Sequence, residues 1–245
     1  MWYKEDLAFI HDIGFSDYAL KSAPGIIEIL KQNNIQEGLI VDLGCGSGLS
    51  AREFVKANYQ VFGVDISEAM IKLARTRVPE AKFQVGSLFQ IEIPPCHAVT
   101  SIGECLNYLF DSNSDREKLI HLFHRIYNAL IPGGVFIFDI AEPGQVTQET
   151  TIKNFTEGKD WIVLVEKEEN RDGILTRRII TFRKVGEHYR RDDEVHRQQL
   201  YEIVEITEKL NSVGFEVQIM QNYGQYNLPL KHTAFIARKL INLNS

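Results

Sequence analysis

Cysteines and long apolar runs are scarce in this chain, and each scarcity excludes a class of protein. Only three cysteines occur, Cys45, Cys96 and Cys105, and they form no Cys-x-x-Cys pair. This excludes a disulfide scaffold and a thiolate zinc site and is typical of a reducing compartment. No apolar run approaches the roughly 20 residues needed to cross a bilayer. The first residues carry acids where a signal peptide carries bases. We therefore expect a cytoplasmic protein without a membrane partner.

Basic residues are also outnumbered, 27 against 33 acidic ones, which gives a net charge of −6. A protein that binds nucleic acid usually shows the opposite sign or a basic stripe. The one dense basic stretch, 177–191, is interrupted by acids, so we expect no nucleic-acid partner. His121 and His124 lie one helical turn apart but have no further ligand at zinc spacing, so we also expect no metal. The length of 245 residues and 44% hydrophobic content fit one α/β domain, 1–245, with an insertion.

Strand-type and helical patterns alternate over the first half of the chain. Residues 1–37 form a helical segment, with Ser22 as a predicted N-cap and Pro24 near the first turn. Ser67 is a second predicted N-cap. The predicted strands that follow cover 39–43, 60–64, 82–85, 97–102 and 135–140, and the predicted helices cover 50–58, 67–77 and 114–130. Apolar strands without strict alternation, each followed by a helix, indicate a parallel sheet that is covered on both faces.

The pattern changes in an insertion over 143–199. Turn signals at Asp172-Gly173 and at Gly186 separate stretches that are rich in β-forming residues, which predicts antiparallel hairpins. The predicted strands of the insertion are three, at 161–165, 174–185 and 187–195. After the insertion the α/β pattern resumes, with a helix at 200–213 and strands at 215–220 and 233–239.

The sharpest local feature is a glycine-rich turn between a predicted strand and a predicted helix. Gly44 and Gly46 let the backbone approach a ligand closely, and the next helix offers free N–H groups. Asp65 ends the following strand, nineteen residues after Gly46, where nucleotide-binding α/β folds place a carboxylate for ribose hydroxyls. A purely structural turn, with Asp65 stabilising a helix N-terminus, is the alternative interpretation.

Asp42 distinguishes between two cofactor classes. It lies two residues before Gly44, where a carboxylate repels the pyrophosphate of a dinucleotide but attracts the ammonium and sulfonium groups of S-adenosylmethionine. A dinucleotide fingerprint also requires a glycine three residues after the second one, and position 49 is leucine. Charge and spacing therefore both favour S-adenosylmethionine.

Five motifs in order resemble those of the class I S-adenosylmethionine-dependent methyltransferases. They are the glycine turn 41–48, the ribose motif 64–67 with Met70, the adenine motif 83–88, the L-x-P-G-G turn 130–136 and the "aGF" turn 211–215. The resemblance implies a Rossmann-like, seven-stranded, mostly parallel sheet with a C-terminal antiparallel strand. It implies S-adenosylmethionine as cofactor. The start of the fourth strand departs from the family pattern, with Pro95-Cys96-His97 where an acidic residue is usual.

Carried over position by position, the resemblance implies a donor site. The turn with Asp42 would hold the methionine moiety, Asp65 the ribose, and the strand end at 101–104 would approach the ligand. The implied cofactor-binding residues are Asp42, Gly44, Cys45, Gly46, Asp65, Ile66, Met70, Ser87, Leu88, Ser101 and Gly103.

The loop after the fourth strand supplies the candidate catalytic residues. Glu104 is a candidate general base, Asn107 a candidate hydrogen-bond partner of the acceptor, and Tyr108 a candidate pocket residue. The alternative is that Glu104 caps a helix and Tyr108 packs in the core. The insertion resembles the lid of small-molecule N- and O-methyltransferases, so we expect a small-molecule acceptor. The other functions considered are a non-catalytic S-adenosylmethionine binder and an NAD(P)-dependent oxidoreductase.

Overall fold

The computed structural model of the protein describes residues 2–110, 116–147 and 150–241. Its helices are α1 (Glu5–Gly14), α2 (Asp17–Gln32), α3 (Leu49–Lys56), α4 (Glu68–Arg77), α5 (Arg116–Ala129) and α6 (Ile203–Val213). The strands of the first half are β1 (Gly38–Leu43), β2 (Tyr59–Asp65), β3 (Lys82–Val85), β4 (Cys96–Ser101) and β5 (Leu130–Ala141). Those of the second half are β6 (Ile152–Gly158), β7 (Trp161–Glu169), β8 (Ile174–Val185), β9 (His188–Gln199), β10 (Phe215–Met220), β11 (Asn222–Tyr223), β12 (Tyr226–Asn227) and β13 (His232–Lys239).

Seven strands form the central sheet in the order β10-β13-β5-β4-β1-β2-β3. Strands β1 to β5 pair in parallel, whereas β13 lies antiparallel between β5 and β10. The predicted Rossmann-like sheet with a C-terminal antiparallel strand is therefore confirmed. The order reverses between β1 and β4, and open α/β sheets bind ligands at such a switch point.

Apolar layers cover both faces of this sheet. Ile40 of β1 packs in the layer that contains Phe54 of α3, while the next residue, Val41, packs in the opposite layer with Phe123 of α5. Because neighbouring side chains of a strand point to opposite faces, both must be apolar when both faces are covered. This explains why the sequence of β1 shows no alternation.

Two predicted helix starts have different outcomes. Ser67 is an N-cap, since its hydroxyl accepts a hydrogen bond from the Met70 amide at 3.1 Å. The prediction for Ser22 is wrong, because α2 begins at Asp17 and both Ser22 and Pro24 lie inside it. Burial of the apolar face of α2 outweighs the helix hydrogen bond that proline cannot donate.

The insertion forms a second, antiparallel sheet of four strands in the order β6-β7-β8-β9. The predicted number of three strands is wrong, because β6 was missed. Every residue of β6 is exposed, so its sequence shows no apolar alternation. The predicted turns are confirmed, with Gly173 and Gly186 at φ angles of 70° and 62°. Part of the predicted helix 114–130, residues 114 and 115, lies outside the described residues.

No helix within the described parts of the chain is long and apolar enough to span a membrane.

Helix α2 lies against the short β11–β12 hairpin through a glycine. A Cβ atom built on Gly25 would lie 2.2 Å from the Tyr223 carbonyl carbon and 2.5 Å from the Gly224 nitrogen. We expect Gly25→Ala to lower the free energy of unfolding by about 1–3 kcal/mol, because the overlap with main-chain atoms forces the helix to move. The cost of the overlap exceeds the roughly 1 kcal/mol that alanine gains over glycine in helix propensity, so the net effect is destabilising.

Thermal and urea unfolding measure this change. Gly86→Ala is the matched control, since its nearest neighbour would be a side-chain carbon of Ile91 at 3.8 Å. If both variants unfolded like the parent protein, the close approach of α2 to the hairpin would be refuted.

Candidate functional site

A cavity of about 650 Å³ lies at the carboxyl ends of the parallel strands. The glycine turn after β1 and the end of β2 form one end of it. Helix α1 and the start of α2 form one side, and strands β7 and β8 of the second sheet close the other end. Its volume lies within the usual range for small-molecule sites.

Backbone hydrogen bonds hold the glycine turn against β2. The amides of Gly44 and Cys45 donate to the Val64 carbonyl at 2.7 and 3.0 Å. Gly44 and Gly46 have φ angles of 80° and 53°, which side chains other than glycine rarely adopt. A Cβ on Gly44 would lie 2.5 Å from the Cys105 sulfur, whereas a Cβ on Gly46 would meet no atom within 4 Å. The turn is therefore packed behind Gly44 and open in front of Gly46.

Two carboxylates, the buried Asp42 and the half-buried Asp65, lie at this end of the cavity. Asp65 accepts hydrogen bonds from the Gly46 amide at 2.9 Å and the Ser67 amide at 2.8 Å. Asp42 accepts one from the Thr100 hydroxyl at 2.7 Å. Burial raises the pKa of each carboxyl to about 6, because water no longer stabilises its charged form. Each is therefore ionised near neutral pH, and a bound cation would stabilise that charge.

The structure brings together ten of the eleven predicted cofactor-binding residues around the cavity. These are Asp42, Gly44, Cys45, Gly46, Asp65, Ile66, Met70, Ser87, Leu88 and Gly103.

The eleventh, Ser101, does not line the cavity. It is fully buried, and its hydroxyl donates to the Leu43 carbonyl at 2.9 Å. The prediction for Ser101 is therefore corrected to a link between β4 and β1. The strand end approaches the cavity only from Ile102 onward.

Asp139, near the end of β5, supports the site from behind the cavity wall, and the sequence did not predict it. Its fully buried carboxylate accepts hydrogen bonds from the Gly103 amide at 3.0 Å, the Glu104 amide at 2.6 Å and the Tyr223 hydroxyl at 3.0 Å. These bonds hold the loop after β4, where Glu104 has an unusual φ of 56°. A single acidic residue inside an otherwise apolar strand was the signal that could have identified it.

Glu104 lines the cavity in a buried ion pair. Its carboxylate oxygens lie 2.6 and 3.1 Å from the two terminal nitrogens of Arg177 on β8, and 3.0 Å from His232 Nε2. Burial by itself would raise the pKa of Glu104, but the Arg177 guanidinium and the His232 hydrogen bond hold it well below its usual range. A carboxylate held in this way is a weak base, so the geometry does not favour the predicted general-base role.

The other two candidate catalytic residues differ in position. Tyr108 lines the cavity, with its hydroxyl 3.2 Å from that of Tyr3, and burial raises its pKa to about 12. Asn107 is fully buried behind the cavity wall. Its amide donates to the carbonyls of Ala141 and Gln199 and accepts from the Ala141 amide. The predicted acceptor contact of Asn107 is therefore corrected, since the side chain joins β5 to β9.

The N-terminal segment is bonded to both ends of the cavity. At the glycine turn, Asp12 accepts from the Ser47 hydroxyl and pairs with Arg77 at 2.8 Å. At the second sheet, Glu194 accepts from the backbone amides of Tyr3 and Lys4, both at 2.8 Å. The sequence reading missed these contacts, because each joins residues that are far apart in the chain.

His11 of α1 also lines the cavity. Burial lowers its pKa below the usual value, so the imidazole is neutral near pH 7. Among the described residues, the structure contains no cluster of three or more histidine, cysteine or acidic side chains that could hold a metal ion.

Fold and cavity together define a Rossmann-like α/β protein with its ligand site at the strand ends. Comparison with known proteins shows which Rossmann-like proteins this chain resembles. Residues 40–134 match the sequence model of the family described as methyltransferase domain. A relative from Geobacillus sp. (strain WCH70), named as a methyltransferase without a stated acceptor, is 29% identical over 195 residues, 73% of this chain and 74% of its own.

Two further proteins show the same likeness. An N,N-dimethyltransferase of Streptomyces venezuelae, named for dTDP-3-amino-3,4,6-trideoxy-alpha-D-glucopyranose, is 26% identical over 142 residues, 56% of this chain and 58% of its own. The crystal structure of an S-adenosylmethionine-dependent methyltransferase from Clostridium acetobutylicum ATCC 824 superimposes with a TM-score of 0.81. It is 21% identical, over 98% of this chain and 99% of that one.

The chain carries a methyltransferase domain over residues 40–134, and the comparisons identify it as an S-adenosylmethionine-dependent methyltransferase. This sets aside the non-catalytic binder and the NAD(P)-dependent oxidoreductase.

The ion pair of Glu104 leads to a prediction about stability. Glu104→Gln leaves the Arg177 guanidinium, whose side chain is only 14% exposed, without its counter-charge. Breaking a buried pair costs about 3–5 kcal/mol, and urea denaturation measures that loss. The double variant Glu104→Gln/Arg177→Met should recover much of it, because no uncompensated charge remains.

Glu166→Gln is the matched control, since its partner Lys153 has a side chain that is 74% exposed and such surface pairs contribute about 1 kcal/mol or less. Equal losses for Glu104→Gln and the control would refute a structural role for the buried pair.

Proposed function

We propose that the protein transfers the methyl group of S-adenosylmethionine to a nitrogen or oxygen atom of a small molecule bound in the cavity. The observation that carries this proposal is the cavity itself. It combines a glycine turn and the acids Asp42 and Asp65 at one end with a covered, polar end beneath the second sheet. An acceptor enclosed there must be small.

The residues at the glycine turn fit the methyl donor. The open space in front of Gly46 and Gly103, where an added Cβ would meet no atom within 4 Å, allows close approach to the backbone. Asp42 lies where it attracts a cation, and Asp65 has lone pairs left for the ribose hydroxyls. Ile66, Met70, Ser87 and Leu88 would bound the adenine. When bound, S-adenosylmethionine supplies a methyl group on a positively charged sulfur.

The insertion is proposed to act as a lid, together with the N-terminal segment. Val163, Val165 and Ile179 present apolar side chains from the second sheet to the cavity. Such a cover excludes water from the transfer and keeps acceptor and donor in one orientation. The N-terminal segment donates two backbone hydrogen bonds to Glu194 of the second sheet. The segment and the insertion thereby form one continuous cover, the roof of the cavity.

The acceptor is proposed to lie at the covered end, near Tyr3 and Tyr108. The Tyr108 hydroxyl is 3.3 Å from an Arg177 nitrogen, so it can accept from arginine while it donates to an acceptor. Glu104 is engaged in its ion pair and does not abstract a proton from the acceptor. The rate of methyl transfer then depends on the positioning of the acceptor against the donor. The net charge of −6 and the enclosure favour a metabolite over a nucleic acid. The three free thiols support the cytoplasm as location.

Calorimetry with purified protein tests the donor site. We expect binding of S-adenosylmethionine and S-adenosylhomocysteine but not of NADH, and a loss of at least about tenfold in affinity for Asp65→Ala. The loss follows because a carboxylate that accepts hydrogen bonds contributes about 1.5–3 kcal/mol. Glu68→Ala, an exposed acid in the first turn of α4, is the control. Undiminished binding by Asp65→Ala, or preference for NADH, would overturn the proposed site.

The raised pKa values of Asp42 and Asp65 predict how donor binding depends on pH. As the pH falls through about 6, these carboxyls take up protons and lose their attraction for a cation. We expect the affinity for S-adenosylmethionine to be about tenfold lower at pH 5 than at pH 7.5. Titrations at both pH values measure this, with circular dichroism to verify that the fold persists. Equal affinities would mean that neither carboxylate faces the bound cation.

A further inference from the structure

Two basic side chains face each other on the cavity side of the second sheet. Lys167 of β7 and Arg177 of β8 are direct cross-strand partners, and both line the cavity. Successive side chains of a strand point to opposite faces. Lys167 therefore shares its face with Val163 and Val165, which also border the cavity. The pair forms a basic patch on the face of the second sheet that borders the cavity.

Like charges directly opposite each other destabilise a sheet. The stability of this pair therefore depends on which acidic groups compensate the charges of Lys167 and Arg177. Arg177 is compensated by both oxygens of Glu104. Lys167 forms no ion pair or hydrogen bond with any residue that the structure describes. Burial, followed by the neighbouring Arg177 guanidinium, lowers the pKa of Lys167. The lysine is thus held in a place that is unfavourable for its own charge.

His232 adds a further positive group at this end. Its two ring nitrogens lie 3.0 Å from Glu104 Oε2 and 3.0 Å from the Leu230 carbonyl, both of which are acceptors. Although burial opposes it, the Glu104 hydrogen bond raises the pKa of His232. Of the carboxylates that line the cavity, only Glu104 faces these three basic side chains, while the buried Asp139 behind it also acts on His232.

The other acids that line the cavity do not offset this excess. Asp42 and Asp65 belong to the glycine turn, where they are bonded to Thr100 and to backbone amides. Asp17 pairs with Lys21 at 2.7 Å on the exposed side of α2. The cavity is consequently acidic at the glycine turn, called here the donor end, and basic at the end covered by β7 and β8, called here the lid end.

We propose that the methyl acceptor carries an anionic group, a carboxylate or a phosphate, that binds between Lys167 Nζ and the guanidinium of Arg177. This inference rests on the proposed function. The Nε atom of Arg177 is buried and has no hydrogen-bond partner among the described residues, so the guanidinium retains a donor beyond those bound to Glu104. An anion there would offset the repulsion between the pair with charge-assisted hydrogen bonds. Lys167 would then determine which acceptors bind.

Calorimetry of the protein saturated with S-adenosylhomocysteine tests this proposal, with citrate and pyrophosphate as probes at constant ionic strength. We expect one of them to bind the parent protein and to bind Lys167→Gln about tenfold more weakly or worse. Lys167→Arg, which keeps the charge, should retain most of the affinity. Binding of citrate alone would assign the site to a carboxylate, and binding of pyrophosphate alone to a phosphate.

Lys184→Gln is the matched control, because this exposed lysine lies on the opposite face of β8. If neither anion bound, or if the control lost as much affinity as Lys167→Gln, the proposal would be overturned. The titration with S-adenosylhomocysteine on the same samples separates the two levels. Normal donor binding without an anion site refutes only this inference, whereas absent donor binding refutes the proposed function as well.

Discussion

The arrangement of the site depends on one buried carboxylate, that of Asp139. It receives the Gly103 and Glu104 amides at the end of the central sheet and so offsets the unfavourable backbone angle of Glu104. Glu104 in turn directs its side chain to Arg177 on β8. A polar group in the core thereby helps to place the second sheet against the first, together with Asn107, which joins β5 to β9. Because each step of this chain is buried, the loss of one partner leaves a charge without compensation.

The cavity has two ends of opposite character, and this follows from two different parts of the fold. The acids at the glycine turn lie at the carboxyl ends of β1 and β2, next to the switch point between β1 and β4. At the other end, Lys167 and Arg177 come from β7 and β8, whose cross-strand register places them side by side, and His232 comes from β13. In the proposed function a cationic donor and an anionic acceptor group would be drawn to opposite ends. Such separation would orient the acceptor without a catalytic base.

The roof of the cavity connects these two ends. Asp12 bonds α1 to the glycine turn through Ser47 and Arg77, and Asp6 pairs with Arg183 and Arg190 of the second sheet. A movement of α1 must therefore change contacts at both ends together. In the proposed function this cover acts as a lid, and lids commonly set the rate of ligand entry and product release. The contacts that hold α1 would then affect ligand entry as well as the structure of the cavity.

The sequence by itself determined the local features of this protein. Gly44 and Gly46 require positive φ angles, and Asp42 and Asp65 stand at strand ends, so this end of the cavity could be predicted from neighbouring residues. Tertiary structure alone decided which polar side chains are buried and which strands are neighbours. Asn107 and Ser101 were predicted as site residues but are buried behind it. The Glu104–Arg177 pair joins residues 73 positions apart, and the Lys167–Arg177 pair depends on strand register. Burial and register arise from long-range packing, which a local pattern does not encode.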